Sequence, residues 1–366
     1  MWLIVNAGSS SLKLKVFDGA REVAKASVAE IGADGHSAAM AAGLAQAGVQ
    51  VGQLTAAAHR VVHGGAGLTA TCRVTPDVLQ QIAACIPLAP LHNPGNLVGI
   101  QAVAALAPAL PQYAAFDTAF HATNPAVATT YALPLAERER GLRRYGFHGI
   151  SFAALVRILR ARGPLPRRLL ACHLGNGCSL AAILDGQSVA TTMGYSPLDG
   201  LTMGTRTGSI DGNAVLRLAE LHGVEGATRI LNRESGLLGL GGASDVRALH
   251  AAGTPEAGFA LQHFAYWALR HAGSMVAAMG GLDAVVFTGG IGENDPWMRN
   301  EILSGLAFMG VSSDPSANAR NETTLHDATS RVVILVVPAD EERQIALEAQ
   351  AVMSGEAQVG TAGEGA

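Results

Sequence analysis

Residues 3–5 (Leu-Ile-Val) open the chain as a strand, and Asn6-Ala7-Gly8-Ser9-Ser10-Ser11 interrupts it as a tight polar turn. Leu12, Leu14 and Val16 then alternate with Lys13 and Lys15, the period-two pattern of a strand with one buried face. Asp18-Gly19 predicts a hairpin turn and 23–28 a third strand. The pattern returns later: 169–172 is strand-like, His173-Leu174-Gly175-Asn176-Gly177 is a turn, 179–184 a strand, and Asp185-Gly186 a second hairpin turn. Gly8 lies ten residues before Asp18, and Gly175 ten before Asp185. This spacing reads as an internal repeat. It predicts two similar α/β domains facing each other, each offering a polar hairpin turn to the cleft between them, a favoured place for a ligand.

Other elements follow from the same reading. Helices are expected at 96–106, entered through Pro94, and at 151–160, 211–221 and 255–279. Strands are expected at 113–116, 282–287 and 331–337. In the long helix, Phe259, Phe264, Trp267 and Met275 read as core packing. A glycine turn at 289–294 leads toward a helix, and Asp340 reads as the N-cap of a final one.

Composition narrows the field. With 366 residues, 49% hydrophobic and 15% charged, the chain reads as a compact globular protein long enough for two cores. A formal net charge of -4 offers no general grip on nucleic acid or an anionic membrane, so any phosphate chemistry must use local cations. Cys72, Cys85, Cys172 and Cys178 show neither a CxxC pair nor zinc-like spacing, which points to a reducing compartment and no structural metal. The N-terminus lacks the basic start and apolar length of a signal peptide, and no stretch reaches the roughly 20 apolar residues of a membrane span. A soluble cytoplasmic protein is the expectation.

The candidate chemistry gathers in three glycine-rich turns: 173–177, 205–208 (Thr-Arg-Thr-Gly) and Gly289-Gly290-Ile291-Gly292-Glu293-Asn294. Glycine lets backbone amides approach a phosphate, though none of these turns has the Walker A form. Arg60 and Arg206 lie beside glycines in non-amphipathic settings, suited to bidentate contact with carboxylate or phosphate. Asp117 ends a strand, where it can hold Mg²⁺ through water, steer a nucleophile, or simply cap a helix. His148 and His173 can donate to phosphoryl oxygens. Asn6 and Asn176 occupy corresponding turns; Ser9, Ser11 and Lys13 line the first, and Glu341 can approach a metal from a helix start. No nucleophile elbow or zinc ligand set is present. Cations, histidines and a few carboxylates suit phosphoryl transfer, which needs positioning and charge neutralisation.

The motifs NAGSSSLK (6–13), HRVVHGG (59–65), PLHNP (90–94), FDTAFH (116–121), RYGFHG (144–149), HLGNGCS (173–179), MGYSPLDGLTMGTRTG (193–208), SGLLGL (235–240), GGIGEN (289–294) and PADEE (338–342) resemble the acetokinase family over nearly the whole chain. The resemblance implies two duplicated ribonuclease-H-like (actin-like ATPase) α/β domains around a central cleft. The N-terminal domain would be 1–149, with helix 341–353 packing back on it. A nucleotide-binding domain would span 150–340, followed by a disordered tail at 354–366. It implies a homodimeric, cytoplasmic kinase. In-line transfer of the ATP γ-phosphoryl group to acetate would give acetyl phosphate and ADP, with Mg²⁺ (Mn²⁺ as the alternative ion).

On the family pattern, Arg60 and Arg206 hold acetate and the transferring group, His148 supports the phosphoryl oxygens, and Asp117 acts near the nucleophilic carboxylate. Asn6 and Glu341 serve the metal. Ser11, Lys13, His173, Gly175, Asn176, Gly177 and the turn Gly289, Gly290, Ile291, Gly292, Glu293, Asn294 serve the nucleotide. Val62, Leu91, Phe147 and Pro197 form the methyl pocket. Propionate or butyrate kinases share the architecture, and a non-catalytic actin- or Hsp70-like ATP-binding protein is a rival of another class. The chain departs from the family pattern at Thr207, Ser209 and Gly212, and at Phe152, where a second histidine is usual. The loss of an acidic residue at 209 is expected to weaken metal or adenine-side contacts, or to reshape the loop.

Overall fold

The computed structural model describes residues 1–8, 11–32 and 35–355; Ser9 and 356–366 of the tail expected at 354–366 lie outside the described residues, while Ser354 still belongs to the last helix and Gly355 caps it. The chain divides into two compact units. The first comprises Met1–Ala122, Phe147–Ala154 and the stretch from Asp340, and the second comprises Thr123–Gly146 and Leu155–Ala339.

In the first unit, β1 (Trp2–Ala7), β2 (Ser11–Asp18), β3 (Arg21–Ala29), β4 (Ala56–Val61), β5 (Cys72–Arg73) and β6 (Gln112–Phe116) form one sheet in the order β3-β2-β1-β4-β6-β5. β1 to β3 form an antiparallel meander, while β4 runs parallel to β1 and β6 parallel to β4. Alternation sends Leu3, Val5, Leu12, Leu14 and Val16 to one face, packed with Met40 and Leu44 of helix His36–Gln46. Trp2, Ile4 and Phe17 go to the other, where Ile345, Ala346 and Ala349 of helix Glu341–Ser354 cover them. Burial of both faces keeps the ends of the parallel strands in register.

The second unit repeats this plan. β7 (Arg168–Leu174), β8 (Cys178–Leu184), β9 (Gln187–Thr191), β10 (Ala284–Thr288) and β11 (Val333–Val336) lie in the order β9-β8-β7-β10-β11. Again three strands form an antiparallel meander and two follow in parallel. The internal repeat read from the spacing of Gly8 and Gly175 is therefore a repeat of topology. β10 is buried along its whole length, as a parallel strand covered on both faces should be. Helix Pro255–Met279 packs on this sheet; Thr254 caps it by accepting from the Ala257 N–H at 3.2 Å, with Pro255 in its first turn.

Four local expectations change. The first hairpin loop is Gly19-Ala20, since Asp18 pairs with Arg21; in the second, Asp185 and Gly186 both take positive φ and close the turn themselves. Phe259 is 56% exposed and lies outside the core that Phe264 and Met275 enter. The stretch Gly289–Asn294 is itself a short helix rather than a turn, because the Glu293 carboxylate turns back to accept from the Gly289 N–H at 2.9 Å. Asp340 precedes the final helix without a side-chain capping bond; its carboxylate instead lies 3.5 Å from Arg343.

Candidate functional site

In the first unit, polar chemistry gathers at the carboxyl ends of parallel strands, the edge of an α/β sheet where ligands bind. Arg60 is the penultimate residue of β4, and Asp117 follows β6. The Asp117 carboxylate accepts from Arg60 Nε at 3.2 Å on each oxygen and from Nη2 at 2.8 Å, a forked contact that fixes the guanidinium plane. Glu341 approaches Arg60 Nε to 3.9 Å from the start of the last helix. Two carboxylates thus flank one guanidinium, and only 2% of Asp117 is exposed. Burial pushes the Asp117 carboxyl above its ordinary range; Arg60 opposes that shift, Glu341 adds to it, and His92 pulls the other way. Burial alone would lower Arg60, but Asp117 and Glu341 outweigh it and hold the guanidinium above its ordinary value.

His148 stands between Phe147 and the helix Gly149–Arg162, with φ at +58°, a conformation few side chains adopt. The Gly149 N–H donates to the Asp117 carbonyl at 2.7 Å, so close that a Cβ at Gly149 would lie 2.3 Å from that oxygen. Only glycine permits this approach. Asn6 in β1 faces Lys13 in β2, and the Ser11 carbonyl accepts from the Gly8 N–H at 2.8 Å. Val62 donates its N–H to Asn96 Oδ1 at 3.0 Å; Phe147 is buried and Leu91 is 39% exposed.

The second unit uses the same sheet edge differently. β7 and β10 are parallel neighbours, and the turns after them bring Gly175, Asn176, Gly290, Ile291 and Asn294 to a cavity of about 660 Å³, with Trp297 and His250 among its other walls. His173, Gly177, Gly289, Gly292 and Glu293 lie outside that lining. Glu293 is occupied as an acceptor from the Gly289 and Ala339 N–H groups, both at 2.9 Å. The 204–208 loop packs on the 175–177 turn. Gly204 donates to the Asn176 carbonyl at 3.2 Å, and a Cβ there would come within 2.4 Å of Asn176 Oδ1. Arg206 donates to the Pro197 carbonyl at 3.2 Å and reaches Met203 Sδ at 3.7 Å; among the described residues no carboxylate joins it. Burial pulls its pKa down, with nearby Cys178 opposing, and burial in turn pushes the Cys178 thiol up to about 12, so that thiol offers no countercharge near neutrality.

The model of the acetokinase family matches residues 34–347. The chain belongs to the acetokinase family. It is 46% identical to an acetate kinase of Methylocella silvestris over 82% of this chain and 76% of that one. Among solved structures it superposes on the acetate kinase of Porphyromonas gingivalis with a TM-score of 0.89 and 34% identity, covering 96% of this chain and 99% of the other. A propionate kinase from Francisella tularensis gives 0.90 and 34%, covering 95% and 98%.

The chain accommodates its departure from the family pattern at Ser209. The Ser209 hydroxyl donates to Asp199 Oδ1 at 2.8 Å, and its N–H donates to the Gly200 carbonyl at 2.9 Å, so the loop is tied down where a carboxylate at 209 would face another carboxylate. Trp297 and His250 of the second-unit cavity are residues that motif reading did not single out. Their rings meet edge-on at 5.4 Å, and His250 Nε2 lies 3.0 Å from Asp295 Oδ2. The available signal was the Asp295-Pro296-Trp297 run directly after the GGIGEN motif, a capped helix start carrying an aromatic.

Proposed function

We propose that this acetokinase transfers the γ-phosphoryl group of ATP reversibly to acetate, giving acetyl phosphate and ADP. The observation that carries the reading is Arg206: a guanidinium drawn out of water with no carboxylate beside it among the described residues suits an anionic ligand. In the same unit the glycine turns supply backbone amides, and a cavity of about 660 Å³ offers Trp297, Ile291 and Val246 to an aromatic base. ATP is the ligand that this chemistry suits.

In the forward reaction an acetate oxygen bonds to the γ-phosphorus as the bond from that phosphorus to the β–γ bridging oxygen breaks, and ADP leaves with the electron pair. Arg60, its guanidinium plane oriented by Asp117, binds the acetate carboxylate and the transferring group. His148 donates to the phosphoryl oxygens, Arg206 neutralises the charge that builds on them, and Asp117 orients Arg60 beside the nucleophile. Val62, Leu91, Phe147 and Pro197 surround the methyl group. Ser11, Lys13 and His173 assist on the phosphate side. Asn6 and Glu341 would hold Mg²⁺, which supplies charge neutralisation on the nucleotide phosphates. The described residues contain no cluster of three His, Cys, Asp or Glu side chains. One carboxylate with an amide nonetheless suits an ion that keeps most of its ligands as water and phosphate.

A homodimer is part of this reading, supported by the exposed Phe259, Tyr266 and Phe308 of the second unit. Four free cysteines support a reducing cytoplasm. The similarity to a propionate kinase keeps propionate as the second substrate candidate.

The test is hydroxamate formation by the purified protein with Mg-ATP and hydroxylamine, comparing acetate, propionate and butyrate at matched low concentration. Acetate ahead of propionate is the expected result. A lead by a longer acid overturns the substrate and keeps the chemistry, and no product with any acid from protein that binds ATP overturns the kinase reading.

A further inference from the structure

Both neighbours of His148 are tied to the segment that begins at Asp117. On one side the Gly149 N–H donates to the Asp117 carbonyl at 2.7 Å; on the other, His121 Nε2 meets the Phe147 carbonyl at 2.9 Å. A carbonyl can only accept, so Nε2 carries the proton and the tautomer is fixed. The ring is fully enclosed: 2% of His121 is exposed, and Phe120 and Phe152 stand edge-on to it, each at 5.7 Å between centroids. Phe152 occupies the position where the family pattern carries a second histidine, and it offers this ring a flat apolar wall. Burial also draws His121 down to about 4, so the imidazole is neutral near pH 7 and its Nε2–H remains a constant donor.

We infer that His121 is a positioning residue of this enzyme, whose Nε2–H fixes the Phe147 carbonyl and so holds His148 in its left-handed backbone conformation beside Asp117. The backbone at His148, with φ at +58°, relaxes toward an ordinary conformation unless its surroundings prevent it. The Gly149 bond restrains only one side. The backbone at His148 is set by the two peptide planes that flank it, and His121 restrains the Phe147–His148 plane. The aromatic wall keeps the imidazole from rotating its donor away. His121 itself touches neither acetate nor nucleotide in this scheme; it acts through His148. The inference rests on the proposed reaction, since it assigns His121 to the placement of that reaction's phosphoryl-binding histidine.

The experiment compares wild type, His121→Leu (similar bulk, no donor), His121→Gln (a donor at nearly the same reach), His148→Ala and the double variant His121→Leu/His148→Ala. It measures kcat, the KM for acetate and for ATP, and the thermal midpoint. His121→Leu is expected to lower kcat about 10- to 100-fold, the scale of one misplaced catalytic donor, while both KM values stay within about two-fold. His121→Gln recovers most of kcat even where its thermal midpoint is lower. In the His148→Ala background, His121→Leu produces no further loss, because its effect runs through His148.

Undiminished kcat in His121→Leu overturns the inference, as do losses that multiply in the double variant. If His121→Leu does not fold, His121→Gln decides: a folded His121→Gln protein with kcat as low as that of His148→Ala overturns it, and near-wild-type kcat upholds it. Wild-type protein inactive with every acid removes the proposed reaction itself, whereas active wild type beside an unimpaired His121→Leu removes only the role of His121.

Discussion

Arg60 in the first unit lies between Asp117 and Glu341, whereas Arg206 in the second meets the Pro197 carbonyl and the Met203 thioether, with the Cys178 thiol nearby and no carboxylate among the described residues. Arg60 stands in β4 of the first sheet and Arg206 in a loop of the second unit packed on the turn after β7, and the strands of the two sheets follow one order. Duplication therefore kept the scaffold and let the charge diverge. The first unit brings Arg60 of β4, Asp117 after β6 and Glu341 of the last helix together, two carboxylates on one guanidinium and so a net negative edge that suits a cation. The second ends β7 and β10 in glycine turns, and the loop packed on the first of them carries a guanidinium with no carboxylate beside it among the described residues, an arrangement that suits an anion. On the proposed reading the first unit's residues serve the metal and the acid, and the second unit's serve the phosphates.

The largest effects come from removing the two arginines. Arg60→Ala and Arg206→Ala are each expected to lower kcat by about 10³-fold, the scale of losing one group that stabilises transition-state charge. They part company in stability. Arg60→Ala leaves the buried Asp117 without its forked partner, costing on the order of 3 kcal/mol and lowering the urea midpoint accordingly. Arg206→Ala strands no carboxylate and should leave the midpoint unchanged or slightly raised. Urea unfolding of the two variants beside wild type checks this; equal destabilisation would end the distinction drawn between the two arginines.

Acid should separate the units next. His59 and His121 are both buried in the first unit and both drawn down to about 4, chiefly by desolvation; the Gln112 contact opposes this for His59, and the Phe147 carbonyl for His121. The unfolded chain protonates these rings near 6.5 and the folded one only near 4. Stability is therefore complete above about pH 6.5 and is lost as pH falls through that window, by up to about 1.4 kcal/mol per unit for each ring. In the second unit, His263 and His271 shift in the same direction but sit in less enclosed settings. Amide hydrogen exchange between pH 7 and pH 5, corrected for intrinsic rates, should show protection of β4 and β6 falling faster than that of β7 and β10. Replacing His59 by Gln should flatten the first unit's dependence. Parallel losses in both units would contradict the assignment.

Local order was the legible part of this chain. Period-two alternation in 12–16 and the glycine–aspartate spacing at 8–18 and 175–185 foretold the meanders and their repetition, because strand pairing there joins near neighbours in sequence. Long-range geometry was not legible. Arg60 and Asp117 are 57 residues apart, and nothing local to either says that they fork together. His121 stands within a quoted motif, yet its partner is a backbone carbonyl 26 residues away, a contact that leaves no trace in residue type. Phe259 looked like core because periodicity marks a face without saying whether anything covers it. Gly289–Asn294 looked like a turn because its glycines mask a helical segment that the Glu293 side chain secures. The Ser209 departure, read as a lost acidic contact, becomes intelligible only once Asp199 is seen to face it.

The smallest effects should distinguish the substrates that each unit handles. Trp297 is an aromatic wall of the second-unit cavity, and losing a stacking surface for a nucleotide base is worth about 1–3 kcal/mol. Trp297→Ala is therefore expected to raise the KM for ATP about ten-fold or more and to leave the KM for acetate within about two-fold. Val62 follows β4 in the first unit, with its backbone N–H anchored on Asn96, so shortening its side chain leaves that anchor in place. One methylene of pocket space is worth about 1–3 kcal/mol, and Val62→Ala should shift the ratio of kcat/KM for propionate over acetate upward by about ten-fold, with the KM for ATP unmoved. Steady-state kinetics with each substrate varied in turn reads both variants. If Trp297→Ala disturbed acetate as much as ATP, or Val62→Ala disturbed ATP as much as acetate, the division between an acid-handling unit and a nucleotide-handling unit would fail, because a contact confined to one ligand cannot change the binding of the other without coupling between their sites.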